Sequence, residues 1–396
     1  MRFVALDGWR GLCALAVALF HLRANSHLYD VGVIRNSYLF VDFFFVLSGF
    51  VVTSAYLGRL GTASGGVVFM IRRFGRLYPL HVAVLALFVI VETAKLAAAS
   101  HGIGMQSPPF VGETSVQALF TNLLMAHSLG LHDSTTWNFT SWSISVEFYC
   151  YALFAIAVLA TARVRTRTRL AVFAVTAAVG AAATVAWSTT GMDTTYDFGF
   201  FRCVYGFFLG AIAERLFEVV LSARLAGLSR PAATLLELAL VALVVVFVTK
   251  AEHRAVSFLA PIVFLPAVIV FAGQRGLLSG LLSSRPMRAL GDWSYSIYMI
   301  HAFLVIDVVG RLVALARRLL PVDLGPAPAP NADLLFDFGS PIWGDILAIA
   351  YIALVIALAG LTSRYIEAPG RSLFNRLAGG RVAAEHDQGV GAPTAS

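Results

Sequence analysis

Blocks of about twenty mostly apolar residues recur along almost the whole 396-residue chain. A helix rises 1.5 Å per residue, so about 20 residues cross a ~30 Å hydrocarbon core. The blocks show neither the alternation of a half-buried strand nor a heptad seam. Mean hydropathy is +0.80 and charged residues are 13%, against about a quarter in ordinary globular domains. The pattern predicts an all-α, polytopic transmembrane helical bundle. Ten spans are expected, near 9–27, 38–58, 79–98, 143–161, 170–188, 199–217, 232–249, 255–273, 292–312 and 343–362. Residues 116–131 are too short for a comfortable span and contain Asn122 and His127. An interfacial or re-entrant helix is expected there.

The basic residues set the orientation, because cytoplasmic loops are rich in Lys and Arg. With the N-terminus cytoplasmic, the outward ones are Arg23, Arg35, Lys95, Arg202, Lys250, Arg254, Arg311, Arg317 and Arg318. Those nine leave 20 of the 29 Lys and Arg inside. Both termini are therefore expected in the cytoplasm. The same bias explains the net charge of +7 without nucleic acid. Residues 1–376 read as one transmembrane domain and 377–396 as a disordered cytoplasmic tail. PVDLGPAPAPNA, 321–332, reads as an extended connector. Arg2, Arg10 and the short apolar run after them resemble a signal peptide. However, Asp7 precedes the run and no clean small-x-small site follows, so a retained first span is expected. Cys13, Cys150 and Cys203 sit in apolar blocks and read as small buried hydrophobes. No ligand spacing suggests a metal.

Ionisable groups inside a span cost about 2.5–3.5 kcal/mol or more each at the centre, so each needs a partner, a wet cavity or a function. DGWRGLCALAVALFH carries Asp7, Arg10 and His21. Arg10 and His21 are eleven residues apart, which places them on one helix face about 16 Å apart. Asp7 is at ion-pairing distance from Arg10 along the helix. His21 suits a general base, or a histidine bonded to a neighbouring helix. In MIRRFGRLYPLH, Arg72, Arg73 and Arg76 share one broad face. Their forked guanidiniums suit phosphate oxygens, but on their own they read first as a positive-inside anchor. TSWSISVEFYCY puts Trp142 at an outer boundary and Glu147 about a turn inside. Glu147 is a candidate partner for His21 or for Arg202. LGDWSYSIYMIH offers Tyr298 and His301, as site residues or as packing. Asp42, in FVDFFFVLSGF, is a further intramembrane acid.

Taken in order, LDGWRGLCALAVALFH, FVDFFFVLSGF, RRFGRLYP, WSISVEFY, FRCVYGFFLGA, LGDWSYSIYMIH and YIEAPGR resemble the acyltransferase-3 family of integral membrane O-acyltransferases. The resemblance implies transfer of an acyl group, commonly acetyl, from cytoplasmic acyl-CoA. The acceptor it implies is a hydroxyl on an extracytoplasmic or membrane-associated glycan or a small natural product. It implies His21 as general base, with Arg10 and Asp7 organising the donor entry or tuning that helix. Arg72, Arg73 and Arg76 would hold donor phosphates. Glu147 would join the catalytic group, with Asp42, Trp142, Arg202, Tyr298 and His301 lining the site. Phe148 stands where many relatives carry a second polar residue. The expected setting is a bacterial plasma membrane, with lipid, acyl-CoA and the acceptor as partners and no nucleic acid. Direct transfer and an acyl-enzyme route stay open. The alternative is a secondary transporter or a lipid or glycan flippase, which predicts internal repeats and paired broken helices. Neither is evident.

Overall fold

A computed structural model describes residues 2–102, 107–319 and 334–390, with backbone alone over 381–390. The expected connector at 321–332 and the last residues of the expected tail, 391–396, lie outside the described residues. In chain order the main helices are α1 (Val4–Leu22), α2 (Phe40–Tyr56), α3 (Ala63–Ser100), α4 (Val116–Leu123), α5 (Trp142–Ala160) and α6 (Thr166–Trp187). They continue with α7 (Gly199–Leu216), α8 (Arg230–Ala251), α9 (Ala260–Ala272), α10 (Arg285–Phe303), α11 (Pro341–Thr362) and α12 (Ala368–Val390). Among the described residues there is no strand; Ala24 and Phe336 form one isolated bridge.

Among the described residues, nine helical segments are long and apolar enough to cross a membrane. Their outward faces carry large apolar side chains, including Ile90, Ile156, Val175, Leu235 and Ile349. An aqueous protein would bury such surface, whereas lipid accepts it. The helix at Gly199–Leu216 is not among the nine, because Arg202, Glu214 and Arg215 interrupt its apolar run. Arg202 and Glu214 are nevertheless buried, and the helix packs against α2, α5 and α6. Its charge is hidden by protein, so hydropathy alone undervalues it.

Two boundaries differ from the expected ones. The first helix ends at Leu22 rather than near residue 27, because Arg23 takes a left-handed conformation at φ 48°. His21 therefore lies in the last turn of α1. The third helix begins at Ala63, sixteen residues before position 79, so the arginine cluster is helical throughout. Pro79 lies inside it, which neighbouring helices in a membrane bundle tolerate. Near residues 116–131 only Val116–Leu123 is helical, one short element instead of a span. α12 takes in the first part of the segment expected to be a disordered tail.

Two helix pairs fix the centre of the bundle: α1 with α10, and α2 with α7. Small residues permit both approaches. A Cβ on Gly49 would overlap the carbonyl oxygen of Phe207, and one on Gly291 would overlap that of Asp7. Both pairs run parallel. Asp7 lies by Gly291 and His21 by His301; Asp42 lies by Arg202 and Val46 by Gly210.

Candidate active site

The close approach of α1 and α10 sets Arg10 against the start of α10. Its Nε donates to Ser294 Oγ at 2.7 Å and its Nη2 to the Gly291 carbonyl at 2.9 Å. Asp7 lies 3.2 Å from the same guanidinium and also accepts from Arg2 at 2.8 Å. Arg2 reaches on to Asp292. These contacts form a latch that holds the two helices in register.

Further along the same helix pair, His21 meets His301. His301 Nε2 lies 3.0 Å from His21 Nδ1, and the rings stack with centroids 5.0 Å apart. The surrounding carbonyls assign the tautomers. A carbonyl only accepts, so His301 Nδ1, 3.2 Å from the Ile297 oxygen, carries its proton. That leaves His301 Nε2 as an acceptor. His21 Nδ1 must then carry the proton, shared with the Val17 carbonyl at 3.0 Å. His21 Nε2 is left as a bare lone pair, the form a general base requires. The Tyr351 hydroxyl donates to the His301 carbonyl at 3.1 Å and steadies this end of α10.

Two cavities flank this axis. One, termed inner for the side on which Arg10 is expected, has about 150 Å³ and is lined by Arg10, Arg73, Arg76, Glu147, Tyr151, Tyr295 and Tyr298 among others. Arg73 bonds Tyr56 Oη at 3.2 Å and faces the rings of Tyr56 and Tyr151. Arg76 pairs with Glu367 and faces Tyr295. Glu367 is in turn held by Ser296 at 2.8 Å. Glu147 accepts from Tyr151 at 2.6 Å. The outer cavity, of about 90 Å³, is lined by Phe20, His21, Tyr38, Thr135, Phe139, Trp142, Asp193, Thr195, Arg202 and Tyr298 among others. Val41 and Tyr298 line both cavities. A larger cleft, about 1010 Å³ beside Glu214 and Arg215, contains none of the residues singled out in the sequence.

Arg202 braces the outer cavity. Asp42 grips it with both oxygens, at 2.9 and 2.8 Å, and the carbonyls of Tyr38 and Thr194 accept from it. Trp142 lies 5.2 Å beneath the guanidinium. Both charges are fully buried, so each depends on the other.

The geometry therefore sorts the expected residues. Arg10, Arg73, Arg76 and Glu147 meet in the inner cavity. His21, Trp142 and Arg202 meet in the outer one, and Tyr298 belongs to both. Asp42 and His301, expected on the lining, stand behind it as partners of Arg202 and His21. Asp7 and Arg72 lie outside both linings. Glu147 meets neither suggested partner: His21 is bonded to His301, and Arg202 to Asp42.

Comparison with known proteins places the chain in a family. A family model for acyltransferase-3, described as an acyltransferase domain, matches residues 3–364. The chain belongs to the acyltransferase-3 family. Acyltransferase MdmB of Streptomyces mycarofaciens is 27% identical, with 95% of this chain and 93% of that one aligned. Protein 2 in the picA locus of Rhizobium radiobacter is 46% identical over 22% of this chain and 44% of its own. A putative O-acetyltransferase of Staphylococcus aureus (strain COL) is 34% identical over 26% of this chain and 16% of its own. The chain thus spans nearly all of the first relative but under half of the other two. No solved structure matches. This multi-pass helical acyltransferase is similar to bacterial proteins.

Three features of the acyltransferase's site escape a linear reading. Asp193, Thr135 and Thr195 come from loops without a periodic pattern. Glu367 stands in the quoted YIEAPGR, yet nothing local ties it to Arg76, 291 positions away. The histidine contact spans 280 positions. A second stacked pair, His81 and His127 at 5.6 Å, lines neither cavity. His127 lies in the connection between α4 and α5. Burial, reinforced by His81, pushes it down to about 3, so it packs as a neutral ring.

Proposed function

We propose that the chain is a ten-span O-acyltransferase of the bacterial plasma membrane with both termini cytoplasmic. It moves an acyl group, foremost acetyl, from acyl-CoA to a hydroxyl of a glycan or small natural product at the opposite face. The parallel packing of α1 on α10 supports the tenth span. Parallel neighbours need an odd number of spans between them, and the seven from α2 to α9 meet that requirement only if α7 also crosses.

The observation that carries this reading is the pair of back-to-back cavities sharing Tyr298. The inner one has three guanidiniums against one lining carboxylate, which suits an anionic, phosphate-bearing donor. Arg73 is the least engaged of the three, with one side-chain hydrogen bond and an unpartnered Nε. At about 150 Å³ the cavity has room for a thioester arm, and the nucleotide end would stay at the arginine rim. The outer cavity presents aromatic faces, Asp193 and two threonines, a lining suited to a polyhydroxylated acceptor.

His21 Nε2 takes the proton from the acceptor hydroxyl as its oxygen attacks the thioester carbonyl. His301 holds the ring in the productive tautomer and accepts from Nδ1 while the ring is charged, the orienting role of the third member of a triad. His21 then returns the proton to the departing thiolate. Arg10, locked to Ser294 and Gly291, keeps the donor cavity in register with this base.

The test is transfer from radiolabelled acetyl-CoA by purified protein in detergent, with glucose, N-acetylglucosamine, glycerol and water as acceptors. Arg73→Ala/Arg76→Ala should raise KM for acetyl-CoA by roughly 10- to 100-fold, since hydrogen bonds to charged groups contribute about 1.5–3 kcal/mol. An unchanged KM, or no label transfer and no thiol release by the unaltered protein, contradicts the proposal.

A further inference from the structure

We propose that Tyr298 is a catalytic residue whose phenolic O–H binds the carbonyl oxygen of the transferred acyl group as negative charge develops there. This rests on the acyl-transfer reading above. The first observation is position. Tyr298 is the one ionisable side chain on the lining of both cavities. A thioester brought from the arginine side and a hydroxyl brought from the His21 side can meet only across this wall. Its ring lies 5.7 Å from that of His301, which is itself stacked on His21.

The second observation is an unused proton. Ser143 Oγ has one hydrogen and two acceptors in reach, Tyr298 Oη at 2.9 Å and the Thr140 carbonyl at 3.4 Å; given to the nearer, it occupies an acceptor site on the phenol and leaves the phenolic hydrogen available. The other tyrosines on the two linings all give theirs away. Tyr295 donates to the Leu77 carbonyl at 2.5 Å, Tyr151 to Glu147 at 2.6 Å, and Tyr38 to the Glu252 carbonyl. Tyr298 is 6% exposed, and no described residue accepts from it. A buried O–H without an acceptor is costly unless something fills the gap. An oxyanion at the cavity junction is such a partner.

The third observation is rigidity. The ring is held edge-on by Phe44 at 6.1 Å and 89°, and the hydroxyl is fixed by Ser143. Catalytic hydrogen bonds are most effective when the donor is already oriented before charge develops.

The step balances. The acceptor oxygen bonds to the carbonyl carbon while its proton passes to His21 Nε2. The C=O π electrons move onto the carbonyl oxygen, which accepts from Tyr298 Oη–H. When the carbonyl re-forms, the C–S bond breaks and the thiolate takes the proton back from His21. Tyr298 keeps its own proton throughout.

Tyr298→Phe keeps the ring, and therefore the wall, and deletes only the hydroxyl. With radiolabelled acetyl-CoA, kcat should fall about 10²–10³-fold, the usual effect of removing one oxyanion donor. KM for acetyl-CoA should stay within about twofold, and the thermal transition in detergent should not move. If the phenol is only a partition, Tyr298→Phe will match the unaltered protein while Tyr298→Ala will not, and the proposal is overturned. A fall in kcat matched by an equal rise in KM also overturns it. Loss of activity in His21→Ala together with full activity in Tyr298→Phe refutes this inference alone. Full activity in both refutes His21 as the base as well, whereas no label transfer by the unaltered protein refutes the acyl-transfer reading itself.

Discussion

His21→Ala is expected to lower kcat for acyl transfer by about 10²–10⁴-fold, the range a positioned general base supplies. KM for acetyl-CoA should remain within about twofold. The reason for the split is spatial. His21 lines the outer cavity, whereas Arg10, Arg73 and Arg76 line the inner one. Removing the imidazole takes away the lone pair at Nε2 and leaves the donor's contacts untouched. The helix should survive the change, because α1 is held to α10 by Arg10 through Ser294 and Gly291. Steady-state kinetics on protein with an unchanged thermal transition checks this. A variant that keeps kcat and loses donor affinity would place His21 in donor binding instead of proton transfer.

The second large effect concerns stability. Asp42→Ala should destabilise the fold by about 3–5 kcal/mol, the cost of leaving one member of a buried ion pair uncompensated. Arg202 would retain the carbonyls of Tyr38 and Thr194 and the face of Trp142, while Asp193, a further acid near it, pairs with His253 instead. Those contacts hydrogen-bond the guanidinium without balancing its charge. The double variant Asp42→Leu/Arg202→Met should recover most of the loss, because apolar residues of similar volume often replace a buried pair at little cost. Denaturant titration in a mild detergent measures both. A single variant within 1 kcal/mol of the unaltered protein would show that water already reaches the pair.

The residues divide sharply in how much the sequence announced about them. Helices such as Arg230–Ala251 were legible because lipid imposes one requirement, an unbroken apolar stretch with its backbone bonded internally. The early start of α3 was not, because the helix continues beyond the apolar run that betrays it. Arg10 and His21 were readable as one face of one helix, since helical periodicity is local. Their partners were not. Ser294, Gly291 and His301 lie on a helix some 280–284 positions later, and packing decides which of several polar groups arrives. Glu147, not His301, was the partner the sequence suggested for His21. Depth was readable, but rotation about the helix axis was not, and it turns Glu147 toward Tyr151 and the arginines. Arg202 found Asp42 for the same reason: the parallel packing of α2 on α7 sets the two charges level.

The most direct test of the central claim uses proteoliposomes with the protein in one known orientation. Radiolabelled acetyl-CoA is supplied only at the face bearing Arg73 and Arg76. The acceptor identified in the detergent assay is enclosed only at the other face. The arrangement of the two cavities predicts label on the enclosed acceptor with the unaltered protein and none with His21→Ala. Label appearing only when donor and acceptor share one compartment would contradict it.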